Sequence, residues 1–435
     1  MNQLELARSG VVSPEMGIVA AREKLDGETI RQRVAAGTVV IPRNRNRKHI
    51  NPVGFGSGLA TKVSASIGTL KGFVDVEEEL AKVQAAIEAG TDAIMDLSSG
   101  GSGKLIDEMR LRTLEATDKP VGTLPIYQAV VEAIEKHGAI VKLTVDELFE
   151  VIERQARDGV DFMGLHCSLT WDTLKRMERQ GRVENIVSYG GNFLTAWMLY
   201  NQQENPLFTH FDRLLEIAHR HDVCLSLADT FRPGCLADSL DRAQVQELII
   251  LGELVDRARA AGVQIMIKGP GHTPIDQIAA TVQLMKQMCS GAPYFVFGPI
   301  ATDVAPGYDH ITAAIGGALA AQAGADFLCY VTPAEHVTFP TVAHVREGVL
   351  ASRIAAHAAD LAKRVPSAWE WDLEMSKARK ALDWEGQINR ALDPVKARKI
   401  REERSPNTSD VCTMCGDFCA MKVVGEYLGR EQETC

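Results

Sequence analysis

The sequence predicts an α/β protein: a (β/α)8 barrel of the TIM type, with an N-terminal helical and irregular region and a C-terminal helical extension ending in a cysteine-bearing loop. Three observations carry that expectation. Short apolar runs of strand length recur along the middle of the chain. Segments with apolar residues at helical spacing separate them. Polar residues able to do chemistry collect just after the runs, where a barrel gathers its active site.

The runs are "TKVSASIG" (61–68), "DAIMDLSS" (92–99), "PVGTLPIY" (120–127), "VDFMGLHC" (160–167), "ENIVSYGG" (184–191), "VCLSLADT" (223–230), "VQIMIKGP" (263–270), "YFVFGPIA" (294–301) and "ADFLCYVT" (325–332). Between them lie amphipathic stretches such as "VEEELAKVQAAIEAG" and "RAQVQELIILGELVDRARAAG". Strand then helix, in regular alternation, implies parallel pairing through crossover helices. Eight such units close a barrel. Nine candidates are present, so one lies outside it, and an open doubly wound sheet is the alternative architecture. The expected organisation is an N-terminal region over 1–57, a barrel over 58–345, a helical extension over 346–410 and a tail over 411–435.

Composition narrows the class. A net charge of −10 over 435 residues disfavours a nucleic-acid binder, and the basic run "IPRNRNRKHI" at 41–50 reads first as a solvated loop, with phosphate contact as the other option. The start "MNQLELARSGVVSPEMG" has no basic n-region and no apolar core, so no secretory signal is expected. The most apolar stretch, "ITAAIGGALAAQAGADFLCYV", carries Gln322 and Asp326 and reads as a buried helix leading into a strand. A cytoplasmic protein without membrane partners is expected. Nine cysteines, six of them isolated at 167, 224, 235, 289, 329 and 435, do not form a disulfide framework.

The strand ends supply the candidate site. Asp96, His166 and Ser188 follow separate runs, then Asp229 and Arg232 in "ADTFRPG", Lys268 and His272 in "KGPGHTP", Asp303, Tyr308, Asp309 and His310 in "TDVAPGYDH", and Tyr330, Glu335 and His336 in "CYVTPAEH". His272 and His336, each just past a strand on a Gly- or Pro-shaped turn, are a possible pair of ligands for Zn²⁺ or Fe²⁺, or two imidazoles bonded to backbone. In "SDVCTMCGDFCAMK", Cys412, Cys415 and Cys419 converge on one loop. With Cys435 they would make a structural zinc knot, and then the histidine pair would suit a zinc-dependent hydrolase. Without a fourth thiolate they suit a [4Fe–4S] cluster with one open iron, able to chelate S-adenosylmethionine.

Several motifs together resemble the phosphomethylpyrimidine synthase family of thiamin biosynthesis: "PEMGIVAAR", "MDLSSG", "GTLPIYQA", "RPGCLAD", "GPGHTP", "TDVAPGYDHIT", "FLCYVTPAEH", "RIAAHAADLAK", "MSKAR" and "CTMCGDFCAMK". The likeness runs nearly end to end and in the same order. It implies a noncanonical radical S-adenosylmethionine (SAM) lyase acting on 5-aminoimidazole ribotide, with electrons from a flavodoxin or ferredoxin. It also implies a homodimer in which each tail covers the partner's barrel. Carried over, Cys412, Cys415 and Cys419 would hold the cluster, and His272 and His336 a mononuclear divalent metal. Ser66, Met95, Tyr127, His166, Ser188, Asp229, Arg232 and Lys268 would face the substrate. The chain departs from the family pattern at Ser64–Gly68 (family NANIG), Tyr189 (SRGG), Ala228–Thr230 (GDG) and Lys268 (EGPGHVP), and spaces its last two cysteines by three rather than four. An acid replaced by Lys268 reverses a charge where substrate is touched, which shifts an interaction by several kcal/mol at about 4 Å and intermediate dielectric. These departures favour the branch that makes 5-hydroxybenzimidazole, a cobamide lower ligand, from the same ribotide, with the pyrimidine product as the alternative.

Overall fold

In this computed structural model, which describes residues 1–404 and 411–427, eight parallel strands close into a barrel in the order β10-β3-β4-β5-β6-β7-β8-β9. The barrel strands are β3 (Lys62–Ile67), β4 (Ala93–Asp96), β5 (Val121–Thr123), β6 (Phe162–Leu165), β7 (Cys224–Ala228), β8 (Ile265–Lys268), β9 (Tyr294–Phe297) and β10 (Phe327–Cys329). They are buried along nearly their whole length, as strands walled by helices on one side and by the barrel interior on the other must be. Val39–Val40 (β1) and Phe55–Gly56 (β2) pair antiparallel as a separate ribbon. The α/β barrel class is therefore the observed one, and the open sheet is not.

Of the nine strand candidates, "ENIVSYGG" is the one outside the barrel. Asn185–Ser188 is irregular, and Tyr189 opens a helix that runs to Asn201. Period-two patterning over so short an apolar run cannot separate a strand from a loop that packs one side on the core. Here Ile186 packs against the core from the rim.

The floor of the barrel is held by side chains of one type used three times. Asp92, Asp161 and Asp326 each stand directly before a strand and accept the backbone N–H at the start of the preceding strand: Val63, Val121 and Tyr294 respectively, each at 2.9 Å. Each satisfies a donor that the parallel ladder leaves open at its buried end. Below them the basic run departs from its expected solvated state, since Ile41, Pro42, Asn44 and Arg47 are buried. Asn44 donates to the carbonyls of Ala156 and Val160, both at 2.8 Å, and its N–H reaches Asp161 at 3.0 Å. Arg47 donates to the carbonyls of Leu114 and Thr117 and lies 3.6 Å from Asp161. Burial pushes the Asp161 carboxyl up to about 7 even with Arg47 beside it. Above this floor Phe55 packs at 4.3 Å on Phe327, which stacks at 3.9 Å on Phe295. The aromatic layer packs inside the barrel above the floor.

The described residues divide into two compact units, Met1–Asp360 and a second that begins at Leu361. The first also contains three N-terminal helices, each begun by a side-chain cap from Asn2, Ser13 or Asp26. The second holds helices Pro366–Lys380, Trp384–Arg390 and Pro394–Glu403, two of them opened by proline where its missing N–H costs nothing. Trp371 donates to the carbonyl of Arg390 at 2.8 Å, and Arg401 lies 3.6 Å over the Trp384 ring. No helix among the described residues is long and apolar enough to cross a membrane.

Asp161→Ala strands the buried Arg47 charge and two N–H groups and is expected to cost about 3–5 kcal/mol in urea unfolding. The double change Asp161→Asn with Arg47→Met should cost less than the sum of its single changes, because the two residues share one environment.

Candidate active site at the upper rim of the barrel

The upper strand ends bring most of the expected residues together. On β3, Ser66 Oγ lies 3.7 Å from Cys329 Sγ, and the Tyr330 hydroxyl donates to the Ser66 carbonyl at 2.6 Å. Met95 from β4 is buried, and its sulfur lies 3.6 Å from Lys268 Nζ at the end of β8. Asp96 points into its own turn instead, accepting from the Ser98 N–H at 2.9 Å and hydroxyl at 2.5 Å, so its role is to shape the loop.

Past β6, His166 Nε2 and Ser188 Oγ are 2.5 Å apart, and both side chains are buried. Helix 189–201 comes this close because it starts with glycines: a Cβ at Gly190 would stand 3.1 Å from His166 Nε2 and 2.9 Å from Ile126. Burial drives the imidazole down to about 3, with Arg232 and Lys268 adding to the effect, so His166 is neutral. Its Nδ1 is buried without a hydrogen-bond partner. Tyr127 meets Tyr189 edge-on at 5.2 Å, and burial pushes its phenol up to about 12.

Asp229, after β7, is the most constrained acid in the site. Its Oδ2 lies against the Gly269 backbone, where an added Cβ would come within 2.0 Å of it, and Gly269 has φ +136. Its Oδ1 has no hydrogen-bond partner; Arg232 Nη1 stands 3.9 Å away. Burial raises this carboxyl well above the usual range despite Arg232 and Lys268 nearby. Lys268 is pulled down by burial and lies 4.8 Å over the Phe295 ring.

His272 and His336 are brought together with ring centres 5.1 Å apart. Each is held through Nδ1 by a carboxylate, His272 by Asp303 at 2.7 Å and His336 by Asp309 at 2.8 Å. That arrangement fixes the tautomer and leaves both Nε2 atoms for a metal, as in carboxylate–histidine–metal triads. Among the described residues no group of three His, Cys, Asp or Glu side chains already forms a metal sphere, so the pair offers two protein ligands. The loop that carries His336 is anchored below: Phe339 packs on Phe73 at 4.9 Å and on Lys82 Nζ at 3.9 Å, and Lys82 pairs with buried Glu79 at 2.5 Å. Glu79 in turn accepts the Gly68 N–H at 2.7 Å, which joins the loops after β3 and β10.

Cys412, Cys415 and Cys419 belong to the C-terminal unit, on a tight turn in which Gly416 N–H donates to the Cys412 carbonyl at 3.1 Å. The N–H groups of Cys415 and Met414 hold the Cys412 thiol below its usual range. Three free thiols on one loop, one of them with its pKa lowered by N–H donors, fit the donor set that an iron–sulfur cluster takes. Cys435 lies outside the described residues.

Sequence reasoning missed Glu247. From mid-helix 242–260 it accepts the N–H groups of Thr230 and Phe231 at 2.8 and 2.9 Å and the Ser168 hydroxyl at 2.7 Å, tying the loops after β6 and β7. Nothing in "QVQELIILGE" marks that glutamate as buried. Arg182, bonded to Asp241 at 2.7 Å and to the Phe231 carbonyl at 2.6 Å, braces the same loop and was equally silent.

Residues 2–426 match the family described as "Radical SAM ThiC family". Over 435 residues, the whole of both chains, the sequence is 61% identical to "Phosphomethylpyrimidine synthase" of Moorella thermoacetica. It is 58% identical, again over the whole of both chains, to the protein of that name from Desulforamulus reducens. It is also 57% identical, over the same full length, to "5-hydroxybenzimidazole synthase BzaA" of Moorella thermoacetica.

Gly269→Ala is expected to force Asp229 from its place and to lower stability by about 1–3 kcal/mol, measured by urea unfolding. A variant as stable as the parent would show that Asp229 is not held by this contact.

Proposed function

The chain belongs to the radical SAM ThiC family, and from that premise we propose that it is a phosphomethylpyrimidine synthase acting on 5-aminoimidazole ribotide. Membership makes it a lyase-type synthase that uses a [4Fe–4S] cluster and SAM, and it displaces the zinc-hydrolase reading. The observation that carries the choice of product is full-length identity of 61% with a protein named for that product. This reverses the order in which the strand-end departures ranked the two products. Both reactions start from one ribotide, so residues that hold the substrate do not by themselves report what it becomes.

Cys412, Cys415 and Cys419 would hold the family's cluster, which when bound would supply an electron to SAM. The chain's own residues bind, orient and shield. Arg232, whose side chain is 20% exposed, suits a phosphate, with buried, neutral His166 fixed by Ser188 as a further donor or acceptor. Asp229 presents one unpartnered oxygen to the ligand. The aromatic layer of Phe295 and Phe327 beneath keeps water from entering from below. A divalent metal on His272 and His336 belongs to the same proposal and draws support from their carboxylate-anchored Nδ1 atoms. The homodimer and a flavodoxin- or ferredoxin-type donor are part of it as well. The 5-hydroxybenzimidazole product remains the second reading, favoured by the 57% identity with BzaA.

Anaerobic incubation of reconstituted protein with the ribotide, SAM and a reductant, read by mass spectrometry, is expected to yield hydroxymethylpyrimidine phosphate with 5′-deoxyadenosine. 5-Hydroxybenzimidazole as the main product would overturn this choice. For the metal, His272→Asn or His336→Asn should abolish stoichiometric binding of Co²⁺ followed by its visible absorption. Asp303→Asn should weaken that binding by about 10–100-fold, the effect of losing a carboxylate behind a ligating imidazole.

A further inference from the structure

The loop after β7 reaches two parts of the rim. It begins with Asp229 and Arg232, 3.9 Å apart at the strand end, and continues through Pro233 to Leu236. The Pro233 carbonyl accepts the His272 N–H at 3.0 Å. The Leu236 N–H donates to Asp303 Oδ2 at 2.9 Å, and Asp303 Oδ1 is the atom that holds His272 Nδ1 at 2.7 Å. His272 is therefore fixed twice by this one turn, once through its own backbone and once through the carboxylate behind its ring. The two segments pack backbone to backbone: a Cβ at Gly271 would come within 2.5 Å of the Pro233 carbonyl oxygen.

The turn is itself anchored by Glu247, a fully buried carboxylate. Both of its oxygens are in use. Oε1 accepts from the Thr230 N–H at 2.8 Å and the Ser168 hydroxyl at 2.7 Å, and Oε2 accepts from the Phe231 N–H at 2.9 Å. Those two N–H groups lie between Asp229 and Arg232 in the chain, and Ser168 lies two residues past His166. The far end of the segment is pinned by Asp238, which accepts the Val183 and Glu184 N–H groups at 2.9 and 2.8 Å. Between these pins the turn cannot shift without leaving buried hydrogen bonds unmade. We propose that Glu247 is a positioning residue that acts through the turn 230–236 on both Asp229–Arg232 and His272, so that the substrate-facing and metal-facing groups share one support. This inference rests on the ribotide and metal readings above, but not on which product is released.

Two substitutions separate the links of this chain of contacts. An amide in place of the Glu247 carboxylate accepts at only one of the two oxygen positions and turns a donor toward the donor at the other, so Glu247→Gln keeps the volume and disturbs the turn. Leu236→Pro removes the N–H that reaches Asp303. Proline suits the site: Leu236 opens the single-turn helix Leu236–Asp238, and Cys235 before it is extended at φ −141 and ψ 160, as the residue preceding a proline prefers.

The test follows Co²⁺ binding by difference absorption and 5-aminoimidazole ribotide binding by calorimetry without SAM, on the full, cluster-loaded chain. Parent, Glu247→Gln, Glu247→Asp, Leu236→Pro and Asp161→Asn are compared, each with its urea midpoint. Glu247→Gln should weaken both ligands by about 3–10-fold, the change that one ordinary hydrogen bond carries. Leu236→Pro should weaken Co²⁺ by a similar factor and alter its absorption bands while ribotide affinity stays at the parent value. Glu247→Asp, which keeps the charge one methylene short, should fall between parent and Gln variant for both ligands, and it carries the test if the Gln variant does not fold. Asp161→Asn, at the opposite end of the barrel, should lower the urea midpoint and leave both affinities unchanged, which separates lost stability from lost positioning. Parent-like affinity for both ligands in the Glu247 variants overturns the inference, as does parent-like Co²⁺ binding in Leu236→Pro. Equal weakening by Asp161→Asn overturns it too, because the effect would then be a general one. A parent that binds no Co²⁺ overturns the metal reading and this inference with it. A parent that binds both ligands but releases 5-hydroxybenzimidazole overturns only the product choice and leaves the role of Glu247 standing.

Discussion

Parallel closure is the constraint on which the rest of this molecule depends. Eight strands running the same way put eight carboxyl ends on one rim, so residues scattered from Ser66 to His336 share one volume. The same geometry leaves a ring of backbone donors at the other end. There Asp92, Asp161 and Asp326 close the ladder, and the segment from Ile41 to Phe55 seals it. One end is satisfied internally, and the other is left chemically open.

Desolvation dominates the electrostatics of the open end. It neutralises His166, raises Asp229 and lowers Lys268, in each case against or beyond the effect of neighbouring charges. Groups in such states are poor stabilisers of a fold. The unpartnered atoms at Asp229 and His166 represent stability forgone inside a pocket whose walls are otherwise well bonded. That cost is tolerable because braces outside the pocket hold the loops. Glu247 and Arg182 secure the loops after β6 and β7, and the Glu79–Lys82–Phe339 stack secures those after β3 and β10. The candidate site's side chains are thus positioned by braces that lie behind them.

The histidine pair illustrates how the same composition carries different chemistry according to its anchors. An imidazole bonded to backbone through either nitrogen is a structural group. His272 and His336 instead spend Nδ1 on Asp303 and Asp309, which orients each ring and leaves Nε2 free. Both aspartates stand out in "TDVAPGYDH" as polar strand-end residues, but their partners do not, because each bond crosses 27 or 31 residues of chain.

The sequence alone determined the periodic features: seven crossovers' worth of strand–helix alternation, the barrel class, the rim as the place for chemistry and the cysteine triplet with its donor chemistry. These depend on local spacing, and local spacing survives in one dimension. Tertiary structure decided the rest. It turned "ENIVSYGG" from a strand candidate into a loop and helix start, and the basic run at 41–50 from a solvated loop into the barrel floor. It also left Lys268 with sulfur and ring neighbours in place of a carboxylate. Burial and partnership are set by residues far apart in the chain, and a side chain's charge state follows from them, so no spacing rule could have supplied either.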